Sequence, residues 1–138
     1  MILLMAGTND LLRLVRNVPG YTMPNILNSM DLLLAQIFSL EPNVRVIVAP
    51  VVESPRVAPW MIARFDASLK PIVERYAKRG ERITLAPSMQ RAVPRDAAHF
   101  PDGIHPSGDG GYAEVANAWL HAIEQVTAAP PASPIAKQ

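Results

Sequence analysis

Apolar runs of strand length alternate along this chain with apolar residues at helical spacing, and this alternation limits the fold more than any other feature of the sequence. Met1 to Ala6 is an unbroken apolar run closed by Gly7, and Arg45 to Val52 repeats the type with Val46, Ile47, Val48 and Ala49. Runs of this length bounded by turn residues read as strands buried on both faces. Arg82 to Ala86 is a third, weaker candidate. Between them the period changes. Ile26, Met30, Leu33, Leu34, Ile37 and Phe38 recur at three- and four-residue steps, as do Phe65, Leu69, Ile72, Val73 and Tyr76, with Gly80 as a stop; each set lies along one face of a helix. Pro71 conflicts with the second set. An interior proline costs about 3 kcal/mol, so that helix is expected to kink or restart there. Tyr112, Val115, Ala116, Trp119, Leu120 and Ile123 mark a last helix.

The order strand, helix, strand, helix, strand, helix implies an α/β fold in which parallel strands are joined by crossover helices. One feature strains that reading. A strand apolar on both faces belongs inside a sheet, yet Met1 to Ala6 opens the chain, and three strands are few. Strands that should flank it on the N-terminal side are expected to be missing. The 138 residues suit one domain, over residues 1–127, and the Pro-rich stretch 128–138 reads as a disordered tail.

Composition narrows the function. Thirteen Lys and Arg balance twelve Asp and Glu, for a net charge of +1, so nothing points to nucleic acid or an anionic membrane. The chain has no cysteine, which excludes disulfides and thiolate chemistry. No apolar run reaches the roughly 20 residues that cross a bilayer, and the N-terminus lacks the basic region of a signal peptide. No His, Cys and carboxylate arrangement suggests a metal, and no cofactor is expected.

Two polar clusters stand where chemistry is done in such folds. Gly7-Thr8-Asn9-Asp10 follows the first strand, and open α/β sheets bind ligands at the carboxyl ends of their strands. The plainer reading is a turn, with Asp10 as a helix cap. Asp102-Gly103-Ile104-His105-Pro106 precedes the last helix. A carboxylate three residues before an imidazole can fold back onto it, fix its tautomer and stabilise the imidazolium. Here the plainer reading is a polar loop, with Ser107 or Asp109 capping the helix.

Taken together and in this order, the clusters resemble the third and fifth sequence blocks of the SGNH (GDSL-type) hydrolases, in the style of the carbohydrate-esterase and lysophospholipase-like members. Leu3 to Leu11 and Asp102 to Gly108, followed by Gly111, Tyr112 and the helix bearing Trp119, carry the likeness, which extends over roughly Met1 to Thr127. Phe65-Asp66 falls where relatives often have Phe-Asn. The resemblance implies a partial flavodoxin-like, three-layer fold and a small-molecule ester substrate. It implies Asn9 as a side-chain donor to the oxyanion, His105 as the general base and then acid, and Asp102 as the residue that orients His105.

The likeness stops short of the family's first two blocks. These supply the Gly-Asp-Ser nucleophile and a glycine oxyanion donor, and no serine of this chain follows Gly-Asp. Ser29, Ser39 and Ser68 fall in helical patterns; Ser54 and Ser88 follow strands but sit in no nucleophile turn. The chain is thus expected to be the C-terminal, acid–base half of an esterase, inactive by itself, or else a non-catalytic remnant that binds a ligand or partner through the same edge. An exposed first strand is expected to drive self-association.

Overall fold

The computed structural model describes residues 1–128. Its elements run β1 (Ile2–Leu4), α1 (Thr8–Val15), α2 (Met23–Leu40), β2 (Arg45–Val48), α3 (Pro59–Lys78), β3 (Arg82–Leu85), a 3-10 turn at Pro87–Arg91, and α4 (Gly111–Ala128). The three strands form one parallel sheet in the order β1-β2-β3. Ile2 pairs with Val46 and Leu4 with Val48, while Val46 pairs with Ile83 and Val48 with Leu85. The expected α/β architecture, with a short parallel sheet and β1 at one edge, is the one observed. The expected tail falls on residues outside the described ones, apart from Ala128, which ends α4.

The strands are shorter than the apolar runs that encode them. β2 stops at Val48 because Pro50 has no N–H to give the ladder, although pairing continues one step further through Ala49 N–H to Leu4 O (2.8 Å) and Ala86 N–H to Val48 O (2.8 Å). The period-two alternation of a strand divides the core in two. Val46, Val48, Ile83, Ile2 and Leu4 face α1, α2 and α3, where Leu11, Leu34, Phe65 and Leu69 are fully buried. Ile47 points the other way, into a smaller cluster with Met89, Phe100, Val115 and Ala122, so α4 covers the opposite face. Leu3 lies on that second face and is 41% exposed; β1 is therefore not buried on both sides as its composition suggests.

Pro71 neither interrupts nor restarts α3, which runs unbroken across it. The carbonyl that loses its partner is that of Ala67, four residues back, and both residues are exposed. Water can satisfy the orphaned oxygen, so the cost stays local. Two other expectations shift. Leu33 of α2 and Tyr112, Ala116 and Leu120 of α4 belong to the apolar stripes but are exposed. Asp10 is not the cap of α1: the N-cap is Gly7, and Asp10 lies in the first turn, where its charge complements the helix dipole.

Gly7 is needed twice over. Its φ of 124° is a conformation that side chains avoid, and a Cβ there would sit 2.7 Å from Cζ of buried Phe65. Gly7→Ala should therefore cost about 2 to 4 kcal/mol of stability, combining backbone strain with overpacking. Urea unfolding measures it. Phe65→Leu in the same chain should recover part of the loss, and an unchanged midpoint for Gly7→Ala would contradict the contact.

Candidate active site

Because the strands are parallel, the segments after β1, β2 and β3 leave the sheet at one edge. Asn9, two residues after Gly7, is the second residue of α1 and is exposed there. The segment after β2 carries Glu53 to Ala58, and the segment after β3 carries the long connection to α4 that holds Asp102 and His105.

That connection is anchored by Val93 and Phe100, buried in the cluster beneath α4, and is folded by its own polar atoms. Oδ1 of Asp102 accepts the backbone N–H groups of Ile104 (2.7 Å) and His105 (2.7 Å). Its other oxygen, Oδ2, lies 2.6 Å from Nδ1 of His105. The three-residue spacing works because the carboxylate first closes a turn on the peptide it precedes, which brings the imidazole back to it. The His105 side chain, then the N–H groups of His105 and Ile104, hold the Asp102 carboxyl well below the usual carboxylate range. Asp102 is thus a permanent anion on Nδ1, which leaves Nε2 of His105 as the proton-accepting atom. The His105 side chain is 68% exposed, so that atom is accessible.

Ser107 joins this loop to α4. Its N–H donates to His99 O (2.6 Å), and its Oγ accepts from Gly111 N–H (2.9 Å); neither Ser107 nor Asp109 immediately precedes α4, which starts at Gly111, but of the two Ser107 bonds the helix's first N–H. Gly111 is packed so closely against Pro106 and the His99 carbonyl that a Cβ would lie 2.7 Å from Pro106 Cβ. The start of α4 thereby fixes the residue next to His105.

A second acid–imidazole pair lies six residues earlier. Asp96 Oδ1 accepts from Ala98 N–H (3.0 Å) and His99 N–H (2.9 Å) and meets His99 Nδ1 at 2.8 Å. The His99 side chain, then its N–H, lowers the Asp96 pKa. Sequence reasoning passed over this pair, although Asp96-Ala97-Ala98-His99 repeats the Asp-x-x-His spacing. The two pairs differ in access. The His99 side chain is only 29% exposed, it lies against Gly110, and its carbonyl holds Ser107, so it supports the loop that His105 presents.

Arg95 was also missed. It donates to the carbonyls of Ser54, Pro55 and Val57 (3.4, 3.1 and 2.8 Å), pinning the segment after β2 to the segment after β3. Ser54 is fully buried and its Oγ has no partner among the described residues; it is inaccessible to a substrate. Ser29 and Ser68 donate to the carbonyls four residues back, as helix residues do.

Beneath the site, Asp66 of α3 is buried at 6% exposure. Oδ1 accepts from Val51 N–H (3.3 Å), while Oδ2 has no partner among the described residues. Burial pushes its pKa up to about 7, opposed by the Val51 bond and reinforced by nearby Glu53.

Asn9, just after β1, and the Asp102–His105 pair, in the connection after β3, are the residues that the sequence resemblance singles out. The family model of GDSL-like lipases and acylhydrolases matches residues 1–119, and the chain belongs to that family. It is similar in structure to a family 3 carbohydrate esterase from Clostridium thermocellum, at 28% identity and a TM-score of 0.63 over 92% of this chain and 58% of that one. It shares its fold with a GDSL-like lipase from Bacteroides thetaiotaomicron, at 19% identity and a TM-score of 0.57 over 91% of this chain and 62% of that one. A Bacteroides fragilis protein has the same fold at 20% identity, with a TM-score of 0.65 over 90% of this chain and 61% of that one. The chain thus spans about three fifths of the length of these structures. No curated protein sequence matches it.

Proposed function

We propose that this chain is the acid–base half of a serine esterase that hydrolyses acyl esters of sugars, lipids or small alcohols, with the nucleophile supplied by a segment outside it. The observation that carries this is the 2.6 Å contact between Asp102 Oδ2 and His105 Nδ1 in an accessible loop. Family membership and the Clostridium thermocellum carbohydrate esterase support ester chemistry. In this reading Nε2 of His105 takes the serine hydroxyl proton as the serine oxygen attacks the acyl carbonyl. The Asn9 amide donates to the oxyanion, and His105 returns the proton to the departing alcohol. Water then repeats the sequence on the acyl-enzyme, releasing the acid.

The DNA upstream of Met1, translated in frame, tests the first half of this statement. A Gly-Asp-Ser motif after an apolar run supports it. A stop codon or unrelated sequence favours the second reading, a non-catalytic protein that binds a ligand or partner at the same edge. Ser54, buried with no partner for its Oγ among the described residues, and the lack of any serine after Gly-Asp favour that reading.

The 138-residue chain should also self-associate through β1. The strand lies at the sheet edge, Leu3 and Met1 are 41% and 57% exposed, and an unpaired edge with apolar side chains is a template for pairing. Light scattering at micromolar concentration should show oligomers that Leu3→Lys reduces. A well-behaved monomer would count against it.

A further inference from the structure

A groove of about 670 Å³ is lined among others by Val15, Met23, Trp60, Met61, Arg56 and Arg64. Its lining residues include two arginines and no Asp or Glu. Elsewhere, Arg75 pairs with Asp31 and Arg91 with Glu53, while Arg95 is spent on three carbonyls. Among the described residues neither Arg56 nor Arg64 forms an ion pair.

Arg56 is held in place. Its N–H donates to Gly103 O (3.1 Å), and the carbonyls of Ser54, Pro55 and Val57 around it are the ones that Arg95 clamps. Its side chain passes against Gly103 so closely that a Cβ there would lie 3.0 Å from Arg56 Cγ and 3.2 Å from Nε. Gly103 is two residues from His105, so the guanidinium borders the reacting edge. Arg64 lies four residues after Trp60 on α3, hence on the same helix face, and Trp60 is 64% exposed. The groove therefore brings an exposed indole together with two arginine residues, Arg64 being shared with the neighbouring groove that holds Asp31 and Arg75; guanidinium groups are donors suited to carboxylate or phosphate oxygens.

We propose that this groove is an anion-recognising subsite, which selects esters that carry a carboxylate or phosphate group in addition to the ester bond. The assignment rests on the esterase reading for its use, although anion binding itself can be measured without turnover. The 138-residue chain is titrated with D-glucuronate against D-glucose, and with glycerol 3-phosphate against glycerol, at constant ionic strength. The Trp60 indole N–H signal in the NMR spectrum reports binding. At least one anion should bind about tenfold or more tightly than its uncharged counterpart, as expected for charge-assisted bonds to a guanidinium. A preference for glucuronate alone assigns the subsite to carboxylates, and one for glycerol 3-phosphate alone assigns it to phosphates. Arg56→Gln and Arg64→Gln should each shrink the preference and together remove it, whereas Arg79→Gln at the far end of α3 should not. Equal affinity for charged and uncharged ligands, no response to either anion at millimolar concentration, or a preference that survives both substitutions overturns the subsite. In a protein completed with the serine segment, His105-dependent hydrolysis of neutral and anionic esters at equal rates would overturn the subsite and leave the esterase reading intact.

Discussion

In a protein completed with a Gly-Asp-Ser segment ahead of Met1, His105→Ala should lower ester turnover by roughly four orders of magnitude or more, because the members of a triad act as a unit. Asp102, an anion fixed on Nδ1 by a 2.6 Å bond, leaves Nε2 as the only atom of the pair that can exchange a proton with serine and then with the leaving alcohol. Asn9→Ala should act more mildly, by roughly a hundredfold, the usual effect of removing one oxyanion donor. Steady-state hydrolysis of p-nitrophenyl acetate by the three proteins measures all of this. A His105→Ala protein within tenfold of its parent would remove His105 from the mechanism.

Asp66→Asn should stabilise the chain at neutral and alkaline pH, by up to about 4 kcal/mol at pH 8. The sign follows from the shift. The folded carboxyl keeps its proton up to about 7, against 3.8 for an ordinary aspartate. Between those values the unfolded chain has released the proton and the folded chain has not, so stability falls as pH rises through the window and levels off above it. The neutral amide removes that slope. The exposed Asp96 and Asp102 carboxyls, whose pKa values are lowered, contribute stability that is lost only as pH falls below the ordinary carboxyl range, so they do not mask the effect. Urea midpoints of both proteins at pH 5 and pH 8 give the comparison. The gain should be less than half as large at pH 5 as at pH 8; parallel pH dependences would mean that Asp66 is not protonated in the fold. The resemblance places this residue where relatives often have Asn, and among the described residues Asp66 Oδ2 has no partner.

Period and turn residues were enough to place all three strands and the helices α2, α3 and α4, because each is built on an apolar face that has somewhere to go. They overstated what depended on neighbours. Leu3 looks buried from its own run, but whether its face is covered depends on elements far along the chain, and α4 covers Ile47 while leaving Leu3 partly exposed. Pro71 looked like a break because its cost was counted without asking where the orphaned Ala67 carbonyl points. The Asp102–His105 contact was legible, since three-residue spacing is a local constraint. Asp96–His99 was equally legible and was missed for want of a motif to attach it to. Arg56 and Arg95 could not have been read: the bonds from Arg95 to the carbonyls of residues 54, 55 and 57, and from Arg56 to Gly103, join segments about 40 residues apart or more, and no local pattern encodes them.

The most direct test of the central claim is covalent labelling by a serine-directed phosphonate, with p-nitrophenyl acetate turnover followed in parallel, on the 138-residue chain and on the same chain carrying a Gly-Asp-Ser segment. No labelling and no phosphonate-sensitive turnover are expected for the chain alone, and both for the completed protein, with labelling confined to the added serine. Robust, phosphonate-sensitive turnover by the 138 residues themselves would contradict it, and Ser88, exposed where Ser54 is buried, would be the first position to mutate.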